Sequence, residues 1–383
     1  MNNFKDLCPG CEVCKDVCPF LAEYGTPDRI LRDRPEVAYH CTSCRRCDGV
    51  CPEGLSPSAA FFEVKRRMVR QDAIAPTVRK ALDGARRFAK AGHEFPFSHY
   101  QSADMVFWPG CNLAANRPGL VRRVRNILSS RLHKRVGLAL DCCFDPVYGL
   151  GDTETAFAAL REIGKCLRDH GIRQVITGCL NCHKLMSEHL VNIHVLFILE
   201  VLPAEIFEKH NMDSIYLHHP CPSSRWEAIR HKAREAVESP GRDLQTDPIP
   251  DLPVSDASAA LCCGNGGGLG ALQTNLADRF LDSITGEAAG RMIVTYCTGC
   301  QNRFLKQGAR AVHLLEWLPG VKPRRRIPSP PAQWVNRFAL ALAARRQTGI
   351  FMARIIILQP FLRRFGKNNT EAIHENIRPE ERK

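Results

Sequence analysis

The chemistry of this chain is written in its cysteines. Eight of them stand in two runs, Cys8-x-x-Cys11-x-x-Cys14-x-x-x-Cys18-Pro19 and Cys41-x-x-Cys44-x-x-Cys47-x-x-x-Cys51-Pro52. Three cysteines at this spacing can wrap one iron–sulfur cubane on a tight loop. The fourth, followed by proline, leaves that loop and ligates a neighbouring cluster. By that rule Cys8, Cys11, Cys14 and Cys51 hold one 4Fe-4S centre, and Cys41, Cys44, Cys47 and Cys18 hold a second. The rival is a pair of zinc sites. Zinc takes four ligands in two pairs and gives no reason for this longer spacing, twice, each time ending in proline.

Ten further cysteines form a second system that repeats. Cys111, Cys142, Cys143, Cys179 and Cys182 make one set; Cys221, Cys262, Cys263, Cys297 and Cys300 make another, displaced by 110 to 120 residues. The surroundings repeat too. MVFWPGC and IYLHHPC are short apolar runs entering a proline and a cysteine, and QVITGCLNC and MIVTYCTGC are runs ending in CxxC. A period this long is a duplicated domain, not a solenoid repeat.

The elements that must position these cysteines can be read from the same stretches. In each half a strand feeds the first cysteine and a helix follows, such as 120–130. A second strand leads to the Cys-Cys pair, then a glycine-containing turn (149–152 and 264–270) and an amphipathic helix (about 153–170 and 272–285). A third strand ends in CxxC. Strands alternating with helices predict a mainly parallel α/β sheet, with the cysteines where strands end and loops begin. The glycines of 264–270 are expected to let backbone approach a bulky cluster without a Cβ clash. A phosphate-binding loop there would need the GK[ST] ending, which is missing.

On these motifs the sequence resembles the heterodisulfide reductase family in its single-chain, D-type form, a 4Fe-4S dicluster module followed by two CCG domains. It is also similar to iron–sulfur subunits of anaerobic glycerol-3-phosphate and glycolate/lactate dehydrogenases. The resemblance spans about residues 1–320. It implies an α+β ferredoxin-like dicluster module with a helical extension, followed by a duplicated α/β CCG domain. It implies two noncubane 4Fe-4S clusters besides the two cubanes, one on each five-cysteine set. Within it, Cys262, Cys263, Cys297 and Cys300 are the candidate catalytic group. The first set departs from the pattern, because Phe144 follows Cys142-Cys143 where Gly264 follows Cys262-Cys263. Reactivity is therefore expected at the second set. Cys166 is left over, in a helix, and is expected to be a buried structural thiol. His183, His218 and His219 flank cysteines. Proton delivery is one reading of them, and a solvated loop position is the preferred one.

The chain has 383 residues and nineteen cysteines, with a net charge of +13. Its opening MNNFKDLC has neither the basic nor the apolar region of a secretory signal, so the thiols are expected to be reduced and metal-bound in a cytoplasmic setting. The expected boundaries are 1–54 for the dicluster domain, 55–103 for a helical connector, and 104–213 and 214–320 for the two CCG domains. A basic linker and tail occupy 321–383. Residues 239–256, rich in proline, read as a surface loop. The tail carries two apolar blocks, FALALAA and GIFMARIIILQPFL, broken by Arg345, Arg346 and Arg354. They are expected to lie on the inner face of the cytoplasmic membrane or on a partner protein, with a helix packed against the core as the alternative. No apolar run is long enough to span. The function expected is electron relay from the cubanes to the CCG sites with disulfide reduction there. The partner expected is a flavoprotein or a membrane cytochrome b. The alternative is a pure electron-transfer component of a quinone-linked complex. Charge alone would allow a nucleic-acid-binding regulator, but no helix-turn-helix or zinc-finger pattern supports one.

Overall fold

The computed structural model describes residues 4, 7–94, 103–210, 212–247, 260–323 and 326–346. Two four-stranded sheets organise the chain beyond the N-terminal module. The first comprises β1 (Met105–Trp108), β2 (Val136–Leu138), β3 (Gln174–Thr177) and β4 (His194–Phe197), ordered β2-β1-β3-β4. The second comprises β5 (Ser214–His218), β6 (Asp243–Thr246), β7 (Met292–Thr295) and β8 (Ala311–His313), ordered β6-β5-β7-β8. All neighbours run parallel. The registers correspond: Val106 pairs with Gly137 and Val175, as Tyr216 pairs with Gln245 and Ile293. The cysteine repeat is thus also a repeat of topology.

The central strands are continuous apolar runs because helices cover both faces of a parallel sheet. Phe107, Leu138 and Ile176 of the first sheet share one core with Ile215, Leu217 and Val294 of the second. A buried ion pair also ties the repeats. Arg117 Nε donates to Glu316 Oε1 at 2.7 Å, and Gln301 Nε2 donates to Glu316 Oε2 at 3.1 Å.

The N-terminal module differs from the α+β expectation. Among the described residues, 7–94 hold helices and loops but no strand. The motif spacing leaves no stretch for alternating residues. Each motif instead winds through two positive-φ positions, Gly10 and Glu12 in one and Ser43 and Arg45 in the other, into a one-turn helix (Val13–Asp16, Arg46–Gly49). Two longer helices follow, Pro57–Arg70 and Pro76–Glu94. Each opens on proline, whose missing N–H costs nothing in a first turn. Phe20, Phe61 and Val64 pack on Leu269, Leu276 and Phe280 of the second repeat. Val78 and Leu82 pack on Phe144, Val147 and Leu150 of the first. The module therefore sits against both repeats.

Two expectations for loops and tail need correction. The stretch 239–256 is not only a loop: Asp243–Thr246 forms β6, paired with β5. It escapes a sequence reading because it is an edge strand of polar residues. Residues 248–259 lie outside the described residues. The block FALALAA lies in the helix Pro330–Arg346, and Val335, Ala339, Leu340, Ala341 and Ala344 are buried. The repeats leave an apolar groove beside Cys111–Asn116, and this helix fills it, so the block is not free to meet a membrane. The second block, GIFMARIIILQPFL, lies outside the described residues. Among those that are described, no helix is long and apolar enough to cross a membrane.

Candidate iron–sulfur centres

Cys8, Cys11, Cys14 and Cys51 line one cavity, of about 340 Å³ including open solvent, with Gly10, Pro27 and Pro52. Cys18, Cys41, Cys44 and Cys47 line another, of about 260 Å³, walled by Phe20, Phe61 and Phe280. Cys51 thus stands with the first loop and Cys18 with the second. The thiols within each group disfavour one another's ionisation. Burial pushes Cys14 up to about 12, with Cys8, Cys11 and Cys51 adding to it. Burial, then Cys44 and Cys41, pushes Cys18 well above the usual thiol range. Four such thiols become stable thiolates together only around strong positive charge. Among the described residues no three Cys, His, Asp or Glu side chains are disposed about a single ion. The sulfurs ring a cavity instead, which suits a group of several metal atoms.

In each repeat the five cysteines sit at the carboxyl ends of three adjacent strands. Cys111 and Cys221 follow β1 and β5. Cys179 and Cys297 follow β3 and β7 and are the N-caps of the helices Leu180–His189 and Thr298–Lys306, which places Cys182 and Cys300 in the first turn. A helix N-terminus favours thiolate. The Sγ atoms of Cys143 and Cys182 are 3.1 Å apart, and those of Cys263 and Cys300 are 3.2 Å apart. The Phe144 amide donates to Cys142 Sγ at 3.4 Å, as the Gly264 amide donates to Cys262 Sγ at 3.3 Å. Both donor sets suit an iron–sulfur group by chemistry and by convergence.

The two sites differ in what faces them. Phe144 and Gly264 share left-handed backbone, φ 63° and 72°. A Cβ on Gly264 would lie 2.3 Å from the Ala277 carbonyl oxygen, so only glycine fits there. Phe144 is buried against Val78 and Leu82 instead. At the second site Cys262 Sγ lies 3.3 Å from Thr42 Oγ1, and hydrogen bonding to Cys262 is the largest cause pushing Cys44 above its usual range. The second five-cysteine site therefore touches the loop of the second cubane. The glycines at 266 and 267 serve that contact rather than a cluster: a Cβ there would come within 2.5 Å of the Thr42 oxygen and 2.6 Å of the Cys41 oxygen. Lys65, fully buried, spans the same junction, its Nζ donating to the Cys41 carbonyl at 2.7 Å.

The histidines are not solvated loop residues. His183, His218 and His219 are all buried. His218 Nδ1 is 3.1 Å from Asp247 Oδ1, and Tyr216 donates to the same oxygen at 2.9 Å. Burial pulls the His218 pKa down, but the Asp247 carboxylate, helped by Cys263 and Cys297, raises it overall. By register, His218 and Asp247 stand where the first repeat has Trp108 and Ala139. Asp247 was not singled out by the sequence, since the strand ahead of it is polar and unpatterned. Cys166 is exposed, not buried, and its Sγ lies 3.8 Å from His170 Nδ1. It faces solvent because Ile163 and Leu167 take the buried stripe of its helix.

Residues 7–56 match the 4Fe-4S dicluster domain, and residues 105–187 and 249–304 match the cysteine-rich CCG domain. An uncharacterized iron-sulfur protein of Methanocaldococcus jannaschii is 22% identical over 342 residues, covering 77% of this chain and 66% of the relative. The B component of fumarate reductase (CoM/CoB) from Methanothermobacter marburgensis is 24% identical over 346 residues, with the same two coverages. The chain thus spans just under two thirds of the length of either relative. It is an iron–sulfur protein that joins a dicluster domain to CCG domains and is similar to heterodisulfide reductase-like proteins. Its dicluster domain takes two cubane 4Fe-4S clusters, and CCG domains typically bind noncubane ones.

Proposed function

We propose that this dicluster and CCG protein delivers electrons one at a time to its second five-cysteine site, where a disulfide substrate is reduced to two thiols. When bound, the clusters supply one-electron carriers. The chain's residues do the rest. Cys8, Cys11, Cys14 and Cys51 hold the entry centre, and Cys41, Cys44, Cys47 and Cys18 hold the one beside it. Cys111, Cys142, Cys143, Cys179 and Cys182 hold the first CCG centre, and Cys221, Cys262, Cys263, Cys297 and Cys300 the second. The observation that carries this reading is the contact of Cys44 and Thr42 with Cys262, which joins the second cubane loop directly to the second CCG site. His218 supports it, as a buried imidazole held by Asp247 at that site and replaced by tryptophan at the other.

Disulfide turnover driven by reduced viologen tests the proposal. The native chain should be active and Cys263→Ala inactive, with the cubanes of the variant still reducible. Retained turnover in that variant would move the active centre away from the second site. A relay reading is favoured by one observation: a relative is named as one component of a reductase with several. Under it the chain would take electrons from a flavoprotein, or pass them to a membrane cytochrome b, with no substrate of its own. No turnover by the native chain with any disulfide, alongside reducible clusters, would support that second reading.

A further inference from the structure

The helix Pro330–Arg346 lies outside the matched domains, yet it brings a guanidinium to the first CCG site. Asn336 Nδ2 donates to the Ala115 carbonyl at 2.7 Å and so fixes this helix on the one that Cys111 begins. Arg337, the next residue, is 2% exposed. Its Nη2 donates to the Leu140 carbonyl at 2.8 Å, two residues ahead of Cys142. Gly92 shows how near the cysteine this is. A Cβ at Gly92 would lie 3.1 Å from Arg337 Nη2 and 3.3 Å from Cys142 Cβ, so both flank one small gap. Trp334 and Phe88 frame the guanidinium, their ring centroids 4.8 and 5.9 Å from Cζ.

We propose that Arg337 is a positioning residue that fixes a positive charge on the Cys111–Cys142 side of the first CCG site and makes that site easier to reduce than it would be without the guanidinium. Arginine keeps its charge when buried, and a fixed cation in a low-dielectric setting favours an added electron nearby. The second site has a guanidinium of its own, Arg303 Nε donating to the Cys263 carbonyl at 3.4 Å, and is faced by Cys44 and Thr42, from which it would be supplied. The inference rests on the reading that the first five cysteines hold a cluster.

The test uses the full-length, iron-loaded chain in a Cys263→Ala, Cys300→Ala background, so that the first CCG signal is read alone. Dithionite titration followed by electron paramagnetic resonance gives its midpoint, with the cubanes as internal references. Arg337→Met should make first-site reduction about tenfold less favourable, about 59 mV for one electron, with the cubane midpoints unmoved. Arg337→Lys should keep most of the native value. An unmoved first-site midpoint in Arg337→Met at full iron content would overturn the proposal. So would equal loss of first-site iron in both variants, which would make Arg337 a packing residue. A background chain with no first-site signal overturns it as well. Disulfide turnover at the second site is measured separately, so either reading can fail while the other stands.

Discussion

Gly264 and Phe144 occupy one backbone position in the two repeats, and what they do differs. At Gly264 left-handed backbone coincides with a carbonyl 2.3 Å from where a Cβ would go. Gly264→Ala should therefore displace Cys263 and cost the second CCG site its iron while the cubanes stay loaded, as iron per chain and the two sets of signals will show. Phe144 accepts the same φ because its ring is buried. Phe144→Ala should lower stability by about 3–5 kcal/mol, the usual cost of removing a buried aromatic, read as a lower unfolding midpoint. Cys18 bears on the crossed grouping of the cubane ligands. Cys18→Ser should damage the centre of the Cys41 loop and spare that of the Cys8 loop. Loss of the Cys8-loop signal instead would break the crossed assignment. The grouping of the eight N-terminal cysteines about two cavities could be read from the sequence, because the repeated spacing dictates it. The burial of His218 and its tie to Asp247 could not, since that partner is 29 residues away along the chain.

At the scale of elements, the ion pair between Arg117, ahead of the helix Pro118–Leu132, and Glu316, in the turn after β8, joins the two repeats with both side chains buried. Breaking a buried pair leaves a charge uncompensated, so Arg117→Ala should destabilise by about 3–5 kcal/mol. The double change Arg117→Met, Glu316→Leu should be far milder. Thermal unfolding of the three proteins separates the cases. The helix Pro330–Arg346 makes a second prediction. A chain cut at residue 330 loses Leu340, Ala341 and Ala344 from the shared core and should unfold at lower temperature. A chain cut after Arg346 keeps them. It should retain its clusters and lose whatever binding to anionic vesicles the intact chain shows, more readily as salt rises. The sequence marked this helix as apolar but could not say what it covers, because the groove it fills is made by residues roughly 200 positions earlier, as the Arg337–Leu140 bond shows.

At the scale of the molecule, the duplicated α/β architecture was legible because cysteines and apolar runs recur together. The absence of strands among the described residues of the N-terminal module was not, since ligand spacing specifies loops without specifying what lies between them. Nor was the docking of that module, which rests on Thr42, Lys65 and the glycines after Cys263, none of which carries a pattern of its own. Under the proposed function, that docking makes the chain one path from cubane loop to CCG site. Iron and acid-labile sulfide analysis of the anaerobically reconstituted chain, with spectroscopy of the clusters, tests this account most directly. Eight cubane ligands and two five-cysteine sites predict about sixteen irons per chain, half of them in centres unlike a ferredoxin cubane. About eight irons, with ferredoxin-type signals alone, would contradict it.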